Sequence, residues 1–212
     1  MAISVDERPA EPTRPGSGVD HEPFWNLPNT ITVLRTAAVP VLLLLPIFAD
    51  EAGSGVIAWT FIAAAVTDLL DGWLARRGQM VTRIGKLLDP LADKLLVVTA
   101  LVVLLAMDRI PIWMTFMVVV IVGRELAVTG LRGIASAGGQ VVGASWLGKC
   151  KTVTQNVAIG ALIFHYETLG LDAQAVGLAM LAIATALTLA SGYLYFADYF
   201  KGRAEGAREP GA

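Results

Sequence analysis

Residues 68–93 read DLLDGWLARRGQMVTRIGKLLDPLAD, and this stretch decides the fold because it breaks two apolar runs with paired carboxylates. Asp68 and Asp71 fall toward the end of one run, and Asp89 and Asp93 near the start of the next. An Asp at the centre of a membrane helix costs about 2.5–3.5 kcal/mol on insertion scales, so acids kept in such runs point to function. Spacings of three and four residues put each pair on one helix face. The short basic connection between the runs predicts a helical hairpin that brings all four carboxylates to one end of a bundle.

A helix needs about 20 mostly apolar residues to cross a bilayer. The chain offers six such runs, at roughly 30–49, 54–76, 88–107, 110–131, 149–168 and 173–198. Its 212 residues are 55% hydrophobic, too apolar for an ordinary soluble domain and too rich in Leu, Val, Ile and Ala for a disordered chain. The expected class is an all-α integral membrane protein of six transmembrane helices. Residues 1–22 lack the basic start and apolar stretch of a signal peptide and read as a disordered polar tail. The membrane domain is expected over 23–200 and a second polar tail over 201–212.

Placed on this six-span scheme, all of the 16 Lys and Arg except Arg109 fall on one side. The other side carries Asp50, Glu51, Asp108, Glu167 and Asp172. The positive-inside bias then predicts cytoplasmic termini and a carboxylate end that faces the cytoplasm. Cys150 is the single cysteine, which excludes an intrachain disulfide. His21 and His165 lie far in sequence from any acid pair and read as incidental. Trp25, Trp59, Trp73, Trp113 and Trp146 fall near span ends, as an interfacial belt would place them. The sequence has no GxxxxGK[ST] phosphate loop and no evident repeat.

Four carboxylates in one pocket would repel one another and raise their own pKa values unless a cation neutralised them. Oxygen ligands of this hardness suit Mg²⁺ or Mn²⁺, and two ions sharing carboxylates would clamp the attacking and leaving oxygens of a phosphoryl displacement. A blander reading makes Asp89 a helix N-cap with Pro90 at the first helical position, and Asp68 and Asp71 a solvated helix end. That accounts for one carboxylate, not four. Gly72, Ala75 and Gly85 are small enough to admit either a neighbouring helix or a ligand's ring and phosphates.

Written as a pattern, the stretch is D-x-x-D-G-x-x-A-R, eight residues, then G-x-x-x-D-x-x-x-D. It resembles, without departure, the signature of the CDP-alcohol phosphatidyltransferase family, and the resemblance extends from about Asn26 to Tyr199. Three further stretches are most similar to members that take glycerol 3-phosphate as acceptor: Asn26 to Arg35, Gly123 to Arg132, and Ser145 to Thr152. The resemblance implies a usually dimeric six-helix enzyme of phospholipid biosynthesis in the plasma membrane, with a polar cavity open to the cytoplasm. It would transfer a phosphatidyl group from CDP-diacylglycerol to glycerol 3-phosphate and release CMP. It also implies that Asp68, Asp71, Asp89 and Asp93 hold two Mg²⁺ or Mn²⁺ ions, with Asp93 acting as general base. Asp68, Gly72, Ala75, Arg76, Gly85, Asn29 and Thr32 would bind CDP-diacylglycerol. Relatives that use inositol phosphate, serine or phosphatidylglycerol share the Asp pattern. Outside the family, a prenyltransferase would carry its acids in two separated motifs, and a transporter nearer mid-membrane with internal repeats.

Arg124, Arg132, Lys149 and Lys151 border the same cytoplasmic mouth and are expected to hold the acceptor's phosphate. Alternatively they snorkel to anionic headgroups, with Arg124 paired to Glu125.

Overall fold

The computed structural model describes the backbone of residues 27–74, 83–137, 146–168 and 170–206, and side chains within 33–67, at 92, and within 94–135, 146–167 and 170–200. Six helices follow the six apolar runs: α1 (Leu27–Leu43), α2 (Glu51–Leu74), α3 (Arg83–Ala106), α4 (Thr115–Ala137), α5 (Trp146–Phe164) and α6 (Ala173–Gly206). A 3₁₀ turn, Ile112–Met114, leads into α4. Two-residue strands, β1 (Glu167–Thr168) and β2 (Leu171–Asp172), pair antiparallel in the connection between α5 and α6. The helix α6 continues to Gly206, into the stretch read as polar tail.

Local chemistry sets the helix ends. Pro46 lacks an N–H and cannot continue α1, which closes in turns from Leu44 and Ile47 back to Val41 and Leu44. Asp108 at the end of α3 has φ 56°, with its N–H on Leu105 O at 3.2 Å and the Arg109 N–H on Leu104 O at 3.0 Å. This is a Schellman termination with Asp in the left-handed position. His165 takes the same conformation after α5, at φ 65°. The Asp172 carboxylate accepts the Ala175 N–H at 3.0 Å and caps α6.

In the bundle α1 packs on α2 and α3, α5 on α6, α2 and α3, and α4 on α6 and α3. Phe61, Leu101, Leu104, Ile121, Ile159, Leu162 and Leu181 form a continuous buried core across these elements. At Gly177 a Cβ would stand 2.6 Å from Leu162 Cγ, so the close approach of α5 and α6 requires glycine there. Segments Ile112–Ala135 and Ala173–Phe200 are long and apolar enough to cross a membrane, and only 28% and 39% of their most apolar windows are buried. Large apolar side chains such as Val56, Val102, Phe116, Val119, Leu126, Ile183 and Leu189 point outward.

Arg109 identifies one end of the bundle. Its guanidinium donates to Ile163 O (2.5 Å), Leu162 O (3.4 Å), Ala49 O (3.2 Å) and Ser54 Oγ (2.8 Å). Gln174 Nε2 donates to the Arg109 carbonyl at 2.7 Å, His165 Nδ1 lies 2.9 Å from Gln174 Oε1, and Tyr166 donates to Ala49 O at 2.6 Å. Two of these acceptors are last-turn carbonyls of α5, which have no partner within their own helix. Burial lowers the Arg109 pKa, with Tyr166 acting the other way, and a guanidinium stays charged regardless. The C-terminal ends of α3 and α5 and the N-terminal ends of α2 and α6 therefore meet at Arg109. The C-terminal end of α2 and the N-terminal ends of α1, α3 and α5 lie at the opposite end, together with the last turns of α4.

Candidate active site

The acidic pairs stand on helical backbone at that opposite end. Asp68, Asp71 and Gly72 belong to the last turns of α2, and Gly85, Asp89 and Asp93 to the first half of α3. Because α3 starts at Arg83, Asp89 stands inside the helix and is not its N-cap, and Pro90 is not at its first position. The blander reading of the Asp-Pro pair thereby loses its structural basis. Asn29 and Thr32 belong to the first turns of α1, which packs on both acidic helices. Ala75 and Arg76 lie outside the described residues.

Lys94, which follows Asp93 in α3, belongs to a charge cluster centred on Glu125. Glu125 of α4 is buried, at 4% exposure, and its carboxylate receives Lys94 of α3 at 2.8 Å, Lys151 of α5, and Arg124 at 3.5 Å. Arg124 also donates to Ser191 Oγ of α6 at 3.0 Å. Four helices are thus joined at one level by three cations and one carboxylate. Lys151 is as buried as its partner, which it satisfies by direct contact.

The four cations expected at the acceptor's phosphate fall into two groups. Arg124 and Lys151 are bound to Glu125. Arg132 and Lys149 are exposed. Helix rise places Arg132 about 10 Å and Lys149 about 3 Å closer to the acidic end than the Glu125 level, against about 8 Å for Asp89. The Arg132 guanidinium also lies over the Tyr195 ring of α6, 5.8 Å from its centroid, which steadies it without using its hydrogen-bond donors.

Residues 25–190 match the CDP-alcohol phosphatidyltransferase family. The chain belongs to that family. Its relatives carry acceptor-specific names. It is 40% identical over 185 residues to the CDP-diacylglycerol--glycerol-3-phosphate 3-phosphatidyltransferase of Bacillus subtilis, covering 82% of this chain and 94% of that one. The Rickettsia typhi protein of the same name is 37% identical over 81% of this chain and 95% of its own length. A probable phosphatidylglycerophosphate synthase of Mycobacterium tuberculosis is 39% identical over 81% of this chain and 80% of its own. As a CDP-alcohol phosphatidyltransferase, the chain is a transferase, and its paired acids lie within the matched residues. Lys94 and Ser191 are the members of this cluster that sequence reasoning missed, and Glu125 entered that reasoning only as an alternative partner of Arg124. An available signal was Glu125 itself, an acid within the apolar run from Phe116 to Val128.

Proposed function

We propose that the chain is a membrane enzyme that transfers the phosphatidyl group of CDP-diacylglycerol to glycerol 3-phosphate, giving phosphatidylglycerophosphate and CMP. The observation that carries the reading is the complete Asp pattern, on the last turns of α2 and the first half of α3 at one end of the bundle, in a chain whose relatives bear the name of this reaction. Six helices with outward apolar side chains support six membrane spans. The Lys and Arg asymmetry supports cytoplasmic termini and a site open to the cytoplasm. A membrane domain over 23–200 and a homodimer in the plasma membrane belong to the same proposal.

The donor set suits hard divalent cations. Asp68, Asp71, Asp89 and Asp93 would hold two Mg²⁺ or Mn²⁺ ions, which when bound neutralise charge at the pyrophosphate. Gly72, Ala75, Arg76 and Gly85, with Asn29 and Thr32 of α1, would receive the cytidine diphosphate. Arg132 and Lys149 take the acceptor's phosphate, with Arg124 and Lys151 adding positive charge behind them. Asp93 accepts the proton of the acceptor's primary hydroxyl as its oxygen bonds to the lipid-bearing phosphorus. The bond from that phosphorus to the bridging oxygen breaks, and CMP leaves with the electron pair. Holding both substrates in this geometry supplies much of the rate.

Metal dependence tests the role given to the carboxylates. In purified protein in lipid, excess chelator should abolish CMP release, and added Mg²⁺ or Mn²⁺ should restore it. Full turnover in excess chelator would overturn the two-ion reading.

A further inference from the structure

Glu125 is costly where it stands. A buried ion cluster is seldom more stable than well-packed apolar side chains of similar volume, so bundle stability alone does not account for a carboxylate here. Three cations from three helices also meet on that one carboxylate. Arg124 Nε is buried and has no acceptor among the described residues, which leaves donor capacity in the cluster. The packing is fitted to this arrangement. A Cβ at Gly192 would lie 3.1 Å from Arg124 Cγ, and Ser191 beside it accepts from the other end of the same guanidinium.

We infer that Glu125 is a positioning residue for the transfer reaction. It gathers Lys94, Arg124 and Lys151 from three helices and so fixes the cationic floor that faces the acceptor's phosphate. Lys94 follows Asp93 directly in α3, so the same carboxylate sets the placement of the proposed base relative to α4 and α5. Without it, three cations of like charge, Lys151 buried and Lys94 and Arg124 half-buried, would repel one another and move toward solvent, and the phosphate would meet an unorganised set. This inference rests on the glycerol 3-phosphate reading above.

The test is the kinetics of Glu125→Gln and Glu125→Asp in purified protein in lipid, with both substrates varied. The unmutated protein is assayed first: failure to make phosphatidylglycerophosphate there overturns the functional reading itself. With that activity present, Glu125→Gln should raise the KM for glycerol 3-phosphate on the order of tenfold, with the KM for CDP-diacylglycerol within about twofold. Glu125→Asp keeps the charge but is one methylene short of reaching all its partners, and should show a smaller shift of the same kind. It decides the matter if the Gln variant does not survive purification. Unchanged KM values, or an equal rise in both accompanied by a lower Tm, would overturn the proposal.

Discussion

At one end of the bundle a buried cation, Arg109, meets only neutral acceptors; at the other a buried carboxylate, Glu125, meets three cations. About 18 Å of α5 separates the two levels, from Lys151 to Ile163. The Arg109 end is electrically finished. The negative pole of α5 and its orphan carbonyls already offset the guanidinium, and the donors join four segments of chain. The Glu125 end gathers three cations on one carboxylate, at the same end of the bundle as the helix turns that carry the four Asp. On the proposed reading the Asp turns take metal ions and the cations beside Glu125 face a phosphate. On that reading, one end closes the bundle and the other binds.

If that division is right, substitutions at the two ends should fail differently. The largest effect on turnover is expected from Asp93→Asn, a loss of about 10²–10⁴-fold, the usual worth of general-base help. Binding of CDP-diacylglycerol should persist, whereas Asp68→Asn should weaken nucleotide and metal binding together. Steady-state kinetics with a parallel binding measurement separates these. Reversed outcomes would exchange the two roles.

Arg109→Met should do the opposite. It leaves Ala49 O, Ser54 Oγ and the last carbonyls of α5 without their donor, at a cost of roughly 2–4 kcal/mol. Thermal unfolding in detergent should show the lower Tm, while the folded fraction keeps both KM values. A selective change in either KM would mean that the Arg109 end takes part in substrate binding.

A smaller effect is expected where the acceptor is held. Arg132→Gln and Lys149→Gln should each raise the KM for glycerol 3-phosphate on the order of tenfold, since each loses one charge-assisted contact. The KM for CDP-diacylglycerol should stay nearly unchanged. If these cations serve only as headgroup anchors, the variants should affect both substrates alike or lower protein yield.

The sequence was legible where polarity broke an apolar period. Six runs became six helices, and Asp68, Asp71, Asp89 and Asp93 stood out because carboxylates are expensive there. Arg109 was visible as the single cation on the wrong side, but its partners were not, because Ala49, Ser54 and Ile163 contribute mostly backbone carbonyls that every residue possesses. The Glu125 cluster was hidden for a different reason. Lys94, Glu125 and Lys151 lie far apart in the chain, and cations at a cytoplasmic mouth are expected from the positive-inside bias alone. The Arg124–Glu125 pairing, an alternative that the sequence offers, is present, and the packing of α3, α4 and α5 adds Lys151 to the same carboxylate. The Asp89-Pro90 ambiguity was likewise settled by the start of α3 at Arg83, since the strongest local cap signal lies six residues inside the helix.

The central claim is the transfer itself, and it is tested most directly by an acceptor panel. The purified protein in lipid is given CDP-diacylglycerol and Mg²⁺ with glycerol 3-phosphate, inositol phosphate, serine, phosphatidylglycerol or plain glycerol, and CMP and the lipid product are both measured. The account predicts CMP and phosphatidylglycerophosphate in equal amounts with glycerol 3-phosphate, and little product with the others. Preferential use of another acceptor, glycerol serving as well as its phosphate, or no CMP with any of them would contradict it.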